Sequence, residues 1–248
     1  MDTLHNPAAG KSPESSCWCL DLGRMEYERV RRLQRRFVEF KCRRAMDRDL
    51  LLLVEHPPVY TLGNRRSKSH CPEAQSNAFL HGIPVISTER GGDITYHGPG
   101  QLVAYPIFDL KGSGLGVKNL VYRLEQAMID TAATFGVEAA RNKLNPGVWV
   151  NGDKLGSIGL AVRRGISFHG LALNVNNDLA PFSWIDPCGL ANVSMTSLEL
   201  AGAKAADLEL AKQAMLDSFK GVFSCGFAPA ELRSLLSSFE TEHELQQA

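Results

Sequence analysis

The chain has 248 residues, and its 27 Lys and Arg residues balance 27 Asp and Glu residues, so the formal net charge is zero. This balance excludes a generally basic nucleic-acid coat and a strongly acidic chain that stays unfolded by self-repulsion. Hydrophobic residues make up 44% and charged residues 22%, as is typical of a soluble globular protein. No apolar run is long enough for a membrane helix, and the first residues lack the apolar stretch of a secretory signal. We therefore expect a cytoplasmic protein with six reduced cysteines.

The N-terminal half predicts an arm, a strand and then a helix. Residues 1–16 are rich in Pro, Ser, Gly and Asn and predict a flexible arm, whereas residues 17–248 predict a single domain. A strand is predicted over Cys17–Leu22. Apolar residues then recur at spacings of three and four from Tyr27 to Phe40, which predicts an amphipathic helix.

Positive charge is concentrated around this helix. Residues 24–48 hold ten Lys or Arg residues against four acidic ones. The charged face is either a solvated helix surface or a docking face for an acidic partner, and the sequence leaves both interpretations open.

The middle and C-terminal parts mix strands and helices. Strands are predicted over residues 50–54, 59–62, 83–87 and 101–108, followed by a helix over 117–135 that ends before Gly136. Asn151-Gly152 joins two β-rich runs and is a strong hairpin signal, so residues 147–175 predict an antiparallel meander. Two further helices are predicted, over 205–220 and 231–245. Because strands and helices do not alternate strictly, we expect an α+β fold with a mixed or antiparallel sheet and flanking helices.

One segment combines four glycines with polar side chains over residues 90–101. Glycine lets the backbone approach a ligand closely, and the interleaved polar groups can hold a carbonyl or a phosphate. Two tight turns around a short strand explain the composition equally well. The segment matches neither of the common phosphate-loop patterns, so it does not predict a nucleotide site.

Two β-rich segments carry further candidates. Lys154 lies in a glycine-flanked strand and is either a surface charge or a group directed into a pocket. The small residues Gly170 and Ala172 leave room for a bulky ligand such as an acyl chain. His169 directly precedes Gly170. A histidine taken alone is more often structural than catalytic.

Cys188 lies between Pro187 and Gly189, which is typical of a turn. A thiol in a loop is accessible, and it becomes reactive when a nearby cation lowers its pKa. Cys17, Cys19 and Cys225 stand beside aromatic and aliphatic residues, which indicates core packing instead.

Three segments together resemble a known family. RGGDITYHGPGQLVAYPI, KLGSIGLAVRRGISFHGLALNV and the Pro-Cys-Gly turn resemble the lipoate-biosynthesis octanoyltransferases, as does the upstream VEHPPVYTLG. The resemblance covers residues 18–200, so it implies a catalytic domain whose family core ends near 200 and is followed by a helical C-terminal extension. It also implies the fold of biotin protein ligase and lipoate–protein ligase catalytic domains.

The resemblance implies a reaction and its residues. The family moves an octanoyl group from the phosphopantetheine of acyl carrier protein to a lysine of lipoyl domains or of the glycine-cleavage H protein. It implies no cofactor, no metal, no nucleic acid and no membrane partner. The implied catalytic residues are Cys188 and Lys154. The implied acyl-binding residues are Arg90, Gly91, Gly92, Asp93, Ile94, Thr95, Tyr96, His97, Ser157, Ile158, Gly159, Gly170, Leu171 and Ala172. Independently of the resemblance, a tetrahedral intermediate needs hydrogen-bond donors for its oxyanion, and His169 and the backbone at Gly189 are candidates for that role.

Two other functions remain open at this point. A ligase of the related lipoate or biotin type would adenylate a free acid with ATP, although we find a candidate cysteine and no basic glycine-rich nucleotide loop. A binding module would use the basic residues 24–48 to hold an acidic protein and would not need the Cys188 thiol.

Overall fold

The structure is a computed structural model that describes residues 17–64, 78–143, 145–185 and 193–239. Its strands and helices follow one another as β1 (Cys17–Arg24), α1 (Tyr27–Cys42), β2 (Leu50–Glu55), β3 (Val59–Leu62), β4 (Phe79–Leu80), β5 (Ile83–Ser87), β6 (Thr95–His97), β7 (Gln101–Ile107), α2 (Val117–Thr134), β8 (Ala140–Arg141), β9 (Gly147–Val150), β10 (Asp153–Arg163), β11 (Ile166–Asn174), a 3-10 helix (Ala180–Trp184), α3 (Leu208–Phe223), β12 (Phe227–Pro229) and α4 (Leu232–Phe239).

The strands form two sheets. The large sheet has eight strands in the order β12-β1-β2-β7-β11-β10-β9-β8, and the small sheet has the order β4-β5-β3-β6. Strand β1 runs parallel to β2 and β12, whereas the remaining neighbours in the large sheet are antiparallel. The expected α+β fold with a mixed sheet is therefore confirmed.

Helices cover both faces of the large sheet. On one face, α2 and α3 pack side chains such as Leu124 and Phe219 against the strands. On the other face, α1 and α4 contribute Phe37 and Leu235 to a second core. Burial of these two apolar faces supplies the main driving force for the fold. Among the described residues, no helix combines the length and apolar character needed to cross a membrane.

Most predicted elements are present, with shifts that have local causes. The Asp207 side chain accepts hydrogen bonds from the backbone N–H groups of Glu209 and Leu210, so α3 begins at Leu208 and not at residue 205. Asn151 and Gly152 both have positive φ, as the predicted hairpin turn requires. The C-terminal helix is described only as Leu232–Phe239. Residues 1–16, the predicted arm, and the predicted helix beyond residue 239 lie outside the described residues.

The short strands β4, β8 and β12 were not predicted. Each has only two or three residues, which is too few to show an alternating pattern of polar and apolar side chains. Their partners in the sheets define them instead.

Part of the basic charge around α1 has a structural role. Lys41 is buried and lies 2.8 Å from an Asp49 carboxylate oxygen. Arg31 and Arg35 each contact Glu89, with Nε–Oε distances of 2.9 Å. These contacts attach α1 to its neighbours, so the local charge excess is smaller than the sequence count indicates. The docking interpretation stays a prediction for the exposed arginines.

Candidate active site

A cavity of about 370 Å³ opens between the large sheet, α1 and the loop that precedes β6. It lies within the size range of small-molecule sites. All but one of the predicted acyl-binding residues line it, namely Arg90, Gly91, Gly92, Asp93, Ile94, Thr95, His97, Ser157, Ile158, Gly159, Gly170, Leu171 and Ala172. The structure thus brings three segments that are distant in the sequence to one cavity, while their roles stay predictions.

Tyr96 is the predicted acyl-binding residue that does not line the cavity. Successive side chains on a strand point to opposite sides, so Tyr96 faces away from the side that Thr95 and His97 share. Its ring packs instead against Tyr60 and Phe182 in the core of the small sheet. Tyr96 is therefore not part of the cavity wall, and its role in acyl binding stays a prediction.

Arg90 holds the glycine-rich loop in place. Its guanidinium donates hydrogen bonds to the backbone oxygen and hydroxyl of Thr61, at 2.6 and 2.9 Å, and to the Gly91 oxygen at 3.0 Å. The Gly91 N–H donates to the Leu160 oxygen at 2.8 Å, which attaches the same loop to β10. Buried hydrogen bonds of a charged group are among the stronger ones in a protein, so this arginine fixes the shape of the cavity wall.

Gly170 has a different role from the one its size suggested. A Cβ atom at this position would collide with the Ala104 backbone oxygen and lie 2.7 Å from Pro106 Cδ. The missing side chain therefore allows close packing against β7 and does not enlarge the cavity. Ala172 does have its small side chain in the cavity wall, beside Val103.

Lys154 is fully buried, so the interpretation as a surface charge is wrong. Its Nζ donates a hydrogen bond of 2.7 Å to Oδ1 of Asn145, which lines the cavity, and lies 5.2 Å from the centre of the Trp149 ring. Burying an ammonium is costly unless such partners replace water. The lysine charge is thereby held at the edge of the cavity.

The loop that carries Asn145 is fixed from α2. The Glu125 carboxylate accepts a hydrogen bond from the Gly147 N–H at 3.0 Å and another from Arg141 Nε at 3.1 Å. Asn145 was not predicted as a site residue. The only signal in the sequence is the turn-forming Asn-Pro-Gly run before β9.

Cys188 and Gly189 lie outside the described residues, so their predicted roles as nucleophile and oxyanion donor stay predictions. The chain after this segment is described and pairs with the candidate lysine. The Lys154 N–H donates to the Ser194 oxygen at 2.9 Å, and the Lys154 oxygen accepts from the Thr196 N–H at 3.0 Å. Residues 194–196 therefore run beside the lysine strand.

The Cys19 thiol is poorly suited to nucleophilic attack. Burial, followed by the nearby Asp21 charge, raises the pKa of the Cys19 thiol to about 11. A thiol with so high a pKa has almost no thiolate at neutral pH. Cys17 is also buried, as predicted, whereas Cys225 is only half-buried against the same core.

The comparisons with known proteins decide the family. Residues 27–220 match the model of the lipoyl protein ligase A/B catalytic domain. An octanoyltransferase of Desulfotalea psychrophila is 51% identical over 72% of this chain and 81% of its own length. An octanoyltransferase of Alkaliphilus metalliredigens is 43% identical over 83% of this chain and 94% of its own length. The chain belongs to the octanoyltransferases of this family. It is therefore an acyltransferase, as the sequence resemblance implied.

The comparison with solved structures supports the fold. The solved structure of a bipartite lipoate protein ligase from Thermoplasma acidophilum covers 94% of the enzyme with a TM-score of 0.65, and the enzyme covers 90% of that chain. The sequence identity is 15%, so this likeness concerns the fold alone. The expected similarity to lipoate–protein ligases is confirmed.

Two buried histidines, His97 and His169, form the polar floor of the enzyme's cavity, and a third, His56, packs against His97 without lining the cavity. The ring centres of His56 and His97 are 5.8 Å apart, and the Tyr27 ring stacks on His97 at 5.9 Å. His56 contacts the Tyr105 hydroxyl at 2.9 Å, and His169 lies 3.5 Å from the Tyr27 hydroxyl. Tyr27, His56 and Tyr105 were not predicted as site residues. His56 and Tyr105 lie within two segments that carry the family resemblance, but no expectation for their side chains followed from it, and Tyr27 was predicted only as an apolar position of the first helix.

Burial keeps these histidines neutral. It lowers the pKa of His97 to about 3 and the pKa of His56 to about 4, and it also lowers the pKa of His169. Burial of the phenol raises the pKa of Tyr27 to about 12. The floor of the cavity thus offers neutral hydrogen-bonding groups at physiological pH.

Glu89 joins this floor to α1. Burial alone would raise the pKa of its carboxyl, but interactions with His169, 3.7 Å away, and with Arg35 outweigh burial and hold the pKa well below its usual range. The carboxylate therefore stays charged, and it lies between His169 and the arginines of α1.

Proposed function

We propose that the enzyme transfers an octanoyl group from octanoyl-acyl carrier protein to a specific lysine of a lipoyl domain through a thioester on Cys188. The observation that carries this proposal is the buried charge of Lys154, held by Asn145 at the edge of a cavity that the acyl-binding segments line. This transfer is the first step of protein lipoylation from endogenously made octanoate. The H protein of glycine cleavage is a second acceptor of the same chemistry.

The first half-reaction forms the acyl-enzyme. The Cys188 thiolate attacks the thioester carbonyl, the new C–S bond forms, and the pantetheine sulfur leaves and takes up the proton lost by the thiol. A free cysteine has a pKa near 8.5, so little thiolate is present at neutral pH. A nearby ammonium favours the thiolate, and this is the role we assign to Lys154.

The second half-reaction releases the product. The neutral amine of the acceptor lysine attacks the acyl-enzyme carbonyl, an amide bond forms, and the Cys188 sulfur leaves as the amine loses a proton. Because a thioester is already activated, neither step needs ATP. The fold is shared with ATP-dependent ligases, so a requirement for ATP is the outcome that would favour the ligase alternative.

The apolar part of the cavity suits an alkyl chain. Side chains of Val103, Val117, Val121 and Leu160 line it beside Ala172. Each buried methylene contributes about 0.8 kcal/mol, so an eight-carbon chain gains most of its binding free energy from its tail.

Intact-protein mass spectrometry tests the proposal directly. Incubation with octanoyl-acyl carrier protein, without ATP, should add one octanoyl group to the wild-type chain and none to Cys188→Ala. Hydroxylamine should remove the added group, and a lipoyl domain should accept it. Cys42→Ser is the matched control, because that thiol is described and lies outside the cavity lining. If Cys188→Ala is acylated normally, the thioester assignment is wrong.

A further inference from the structure

A chain of buried hydrogen bonds connects the cavity floor to the segment beside Lys154. His97 Nδ1 lies 2.7 Å from Gln101 Oε1, and Gln101 Nε2 donates to Asn174 Oδ1 at 2.9 Å. Asn174 Nδ2 then donates to the Thr196 backbone oxygen at 2.9 Å. The side chains of His97, Gln101 and Asn174 belong to buried residues, so water does not compete for these bonds.

The far end of the chain determines the direction of every bond in it. A backbone oxygen can only accept, so the Asn174 group that faces Thr196 must be the amide nitrogen. Asn174 Oδ1 therefore faces Gln101 and accepts from its Nε2. The Gln101 nitrogen also donates to the Tyr96 backbone oxygen at 3.3 Å, which independently requires the same orientation.

This direction selects one tautomer of His97. Gln101 Oε1 is an acceptor, so His97 Nδ1 must carry the proton. In a neutral imidazole the second nitrogen, Nε2, then has an unshared electron pair. His97 lines the cavity, and burial keeps its ring neutral.

We propose that Gln101 and Asn174 are positioning residues that lock His97 in the Nδ1–H tautomer, so that its Nε2 accepts a hydrogen bond from an N–H group of the substrate. This inference rests on the proposed function for the identity of the substrate. Two substrate groups have the required chemistry, namely the amine of the acceptor lysine and an amide of the pantetheine arm.

The same chain ties His97 to the candidate lysine. The Thr196 residue at its end donates its N–H to the Lys154 oxygen at 3.0 Å. One connected framework therefore carries two groups. These are His97 Nε2, the proposed hydrogen-bond acceptor for the substrate, and the Lys154 ammonium, which we expect to stabilise the thiolate. Their relative position depends on the amide side chains of Gln101 and Asn174, neither of which lines the cavity.

The tautomer itself gives the first test. Nitrogen-15 NMR of the histidine rings in the wild-type enzyme should show His97 with a protonated Nδ1 and an unprotonated Nε2 at pH 7. His97→Gln identifies its signals. A protonated Nε2 overturns the inference, whatever the enzyme's activity.

Two substitutions of Gln101 provide the second test. Gln101→Leu removes the acceptor, so the locked tautomer should be lost and turnover per folded enzyme should fall by about 10- to 100-fold. Gln101→Glu keeps an acceptor for Nδ1–H and should retain the tautomer. Its carboxylate should also raise the pKa of His97 and move the acid limb of the rate to higher pH.

The groups around His97 keep this pH test interpretable. Tyr27 and His56 contact the ring, and Arg90 and His169 act on it electrostatically. None of them is changed in the Gln101 variants. A purely structural role for Gln101 predicts similar thermal destabilisation in both variants with an unchanged pH profile, and that result overturns the inference.

Measurement of the two half-reactions distinguishes the two N–H sources. Slower transfer from preformed acyl-enzyme to a lipoyl domain in Gln101→Leu indicates the lysine amine, whereas slower acylation by octanoyl-acyl carrier protein indicates the pantetheine amide. Asn174→Leu should resemble Gln101→Leu, and the exposed neighbour Asn176→Ala is the matched control. Unchanged rates of both half-reactions in Asn174→Leu and Gln101→Leu contradict the proposal.

Failure of this inference and failure of the proposed function give different experimental results. If Cys188 is never acylated but NMR shows the Nδ1–H tautomer and its loss in Gln101→Leu, the locking by Gln101 stands and the octanoyl-transfer assignment falls. If Cys188 is acylated but the tautomer is Nε2–H, the reverse holds.

Discussion

Lys154 Nζ donates a hydrogen bond of 2.7 Å to Asn145 Oδ1, although the Lys154 side chain is fully buried. Strand β10 supplies the lysine, and the loop before β9 supplies the amide. The pair forms only when β9 and β10 align and α2 holds the loop through Glu125. The ammonium that we assign to the thiolate is thus positioned by a residue outside the recognised motifs.

Asn145→Ala should lower octanoyl transfer by about 10- to 100-fold, because a hydrogen bond to a charged group contributes about 1.5–3 kcal/mol. The lysine would lose a partner that holds it at the cavity edge. Turnover with octanoyl-acyl carrier protein measures the effect, and thermal melting reports any loss of folding. Asn119→Ala, exposed on α2, is the control. Equal rates in the two variants would show that Asn145 does not position the lysine.

Lys154→Ala should move the rise of Cys188 alkylation by iodoacetamide to higher pH, because the thiolate loses a nearby positive charge. Lys154→Arg should restore the profile only in part, since guanidinium differs from ammonium in shape and reach. Peptide mass spectrometry separates Cys188 from the other thiols, and Cys42 should keep its profile in every variant. The same pH dependence at Cys188 in Lys154→Ala would contradict the pairing.

Ala172→Leu should shorten the preferred acyl chain, because the added carbons occupy cavity space that binds the tail of octanoate. Initial rates with four-, six- and eight-carbon donors measure the preference. Gly170→Ala makes the useful contrast. Its new Cβ meets the Ala104 oxygen, so we expect destabilisation by about 1–3 kcal/mol without a change in chain preference. Equal losses on all three donors in Ala172→Leu would exclude this wall from the acyl site.

Stability should fall below about pH 6.5, before most carboxylates titrate. The pKa values of His56 and His97 are lowered to about 4 and about 3, so the unfolded chain binds more protons than the native one between these values and 6.5. The contribution is complete above 6.5 and is lost as the pH falls. At pH 5 the free energy of unfolding is therefore lower than at neutral pH by about 2 kcal/mol per histidine.

Denaturant unfolding at pH 7 and pH 5 measures this effect, and His56→Gln should lose less stability between the two values than the wild type. His81→Gln is the control, because His81 lies on the exposed surface. An identical pH dependence in wild type and His56→Gln would contradict the neutral buried state of His56.

Arg29→Glu and Arg32→Glu should each raise the apparent KM for octanoyl-acyl carrier protein and leave a small octanoyl thioester unaffected. Both arginines are exposed on α1, where they can attract an acidic carrier. Added salt should reduce the difference, since the screening length falls from about 10 Å at 0.1 M to about 3 Å at 1 M. Lys204→Glu reverses the charge of an exposed residue outside α1 and is the matched control. Equal losses with both donors would make this face structural.

Arg35 is unsuitable for that experiment despite its exposed position. Its Nε lies 2.9 Å from Glu89, which also contacts Arg31. A charge reversal there would break an internal ion pair beside His169. The sequence placed all these arginines on one basic segment, and only the packing of α1 against Glu89 separates the exposed ones from the paired ones.

The periodicity of the sequence was sufficient to predict α1, α2, most longer strands and the Asn151-Gly152 hairpin. These elements depend on neighbouring residues, so their signals lie within short windows. The family motifs also identified most of the cavity wall. Tyr96 is the exception, because the alternation along β6 turns it into the core of the small sheet while its neighbours face the cavity.

The sequence by itself determined the local elements and the recognisable acyl-binding segments. Only the tertiary structure decided that Lys154 is buried against Asn145, that Gly170 serves strand packing, and that His97 is joined to Asn174 through Gln101. Each of these relationships joins groups from different strands or loops. Their free energies depend on burial and on hydrogen-bond direction, which arise only when the sheet brings distant segments together and excludes water.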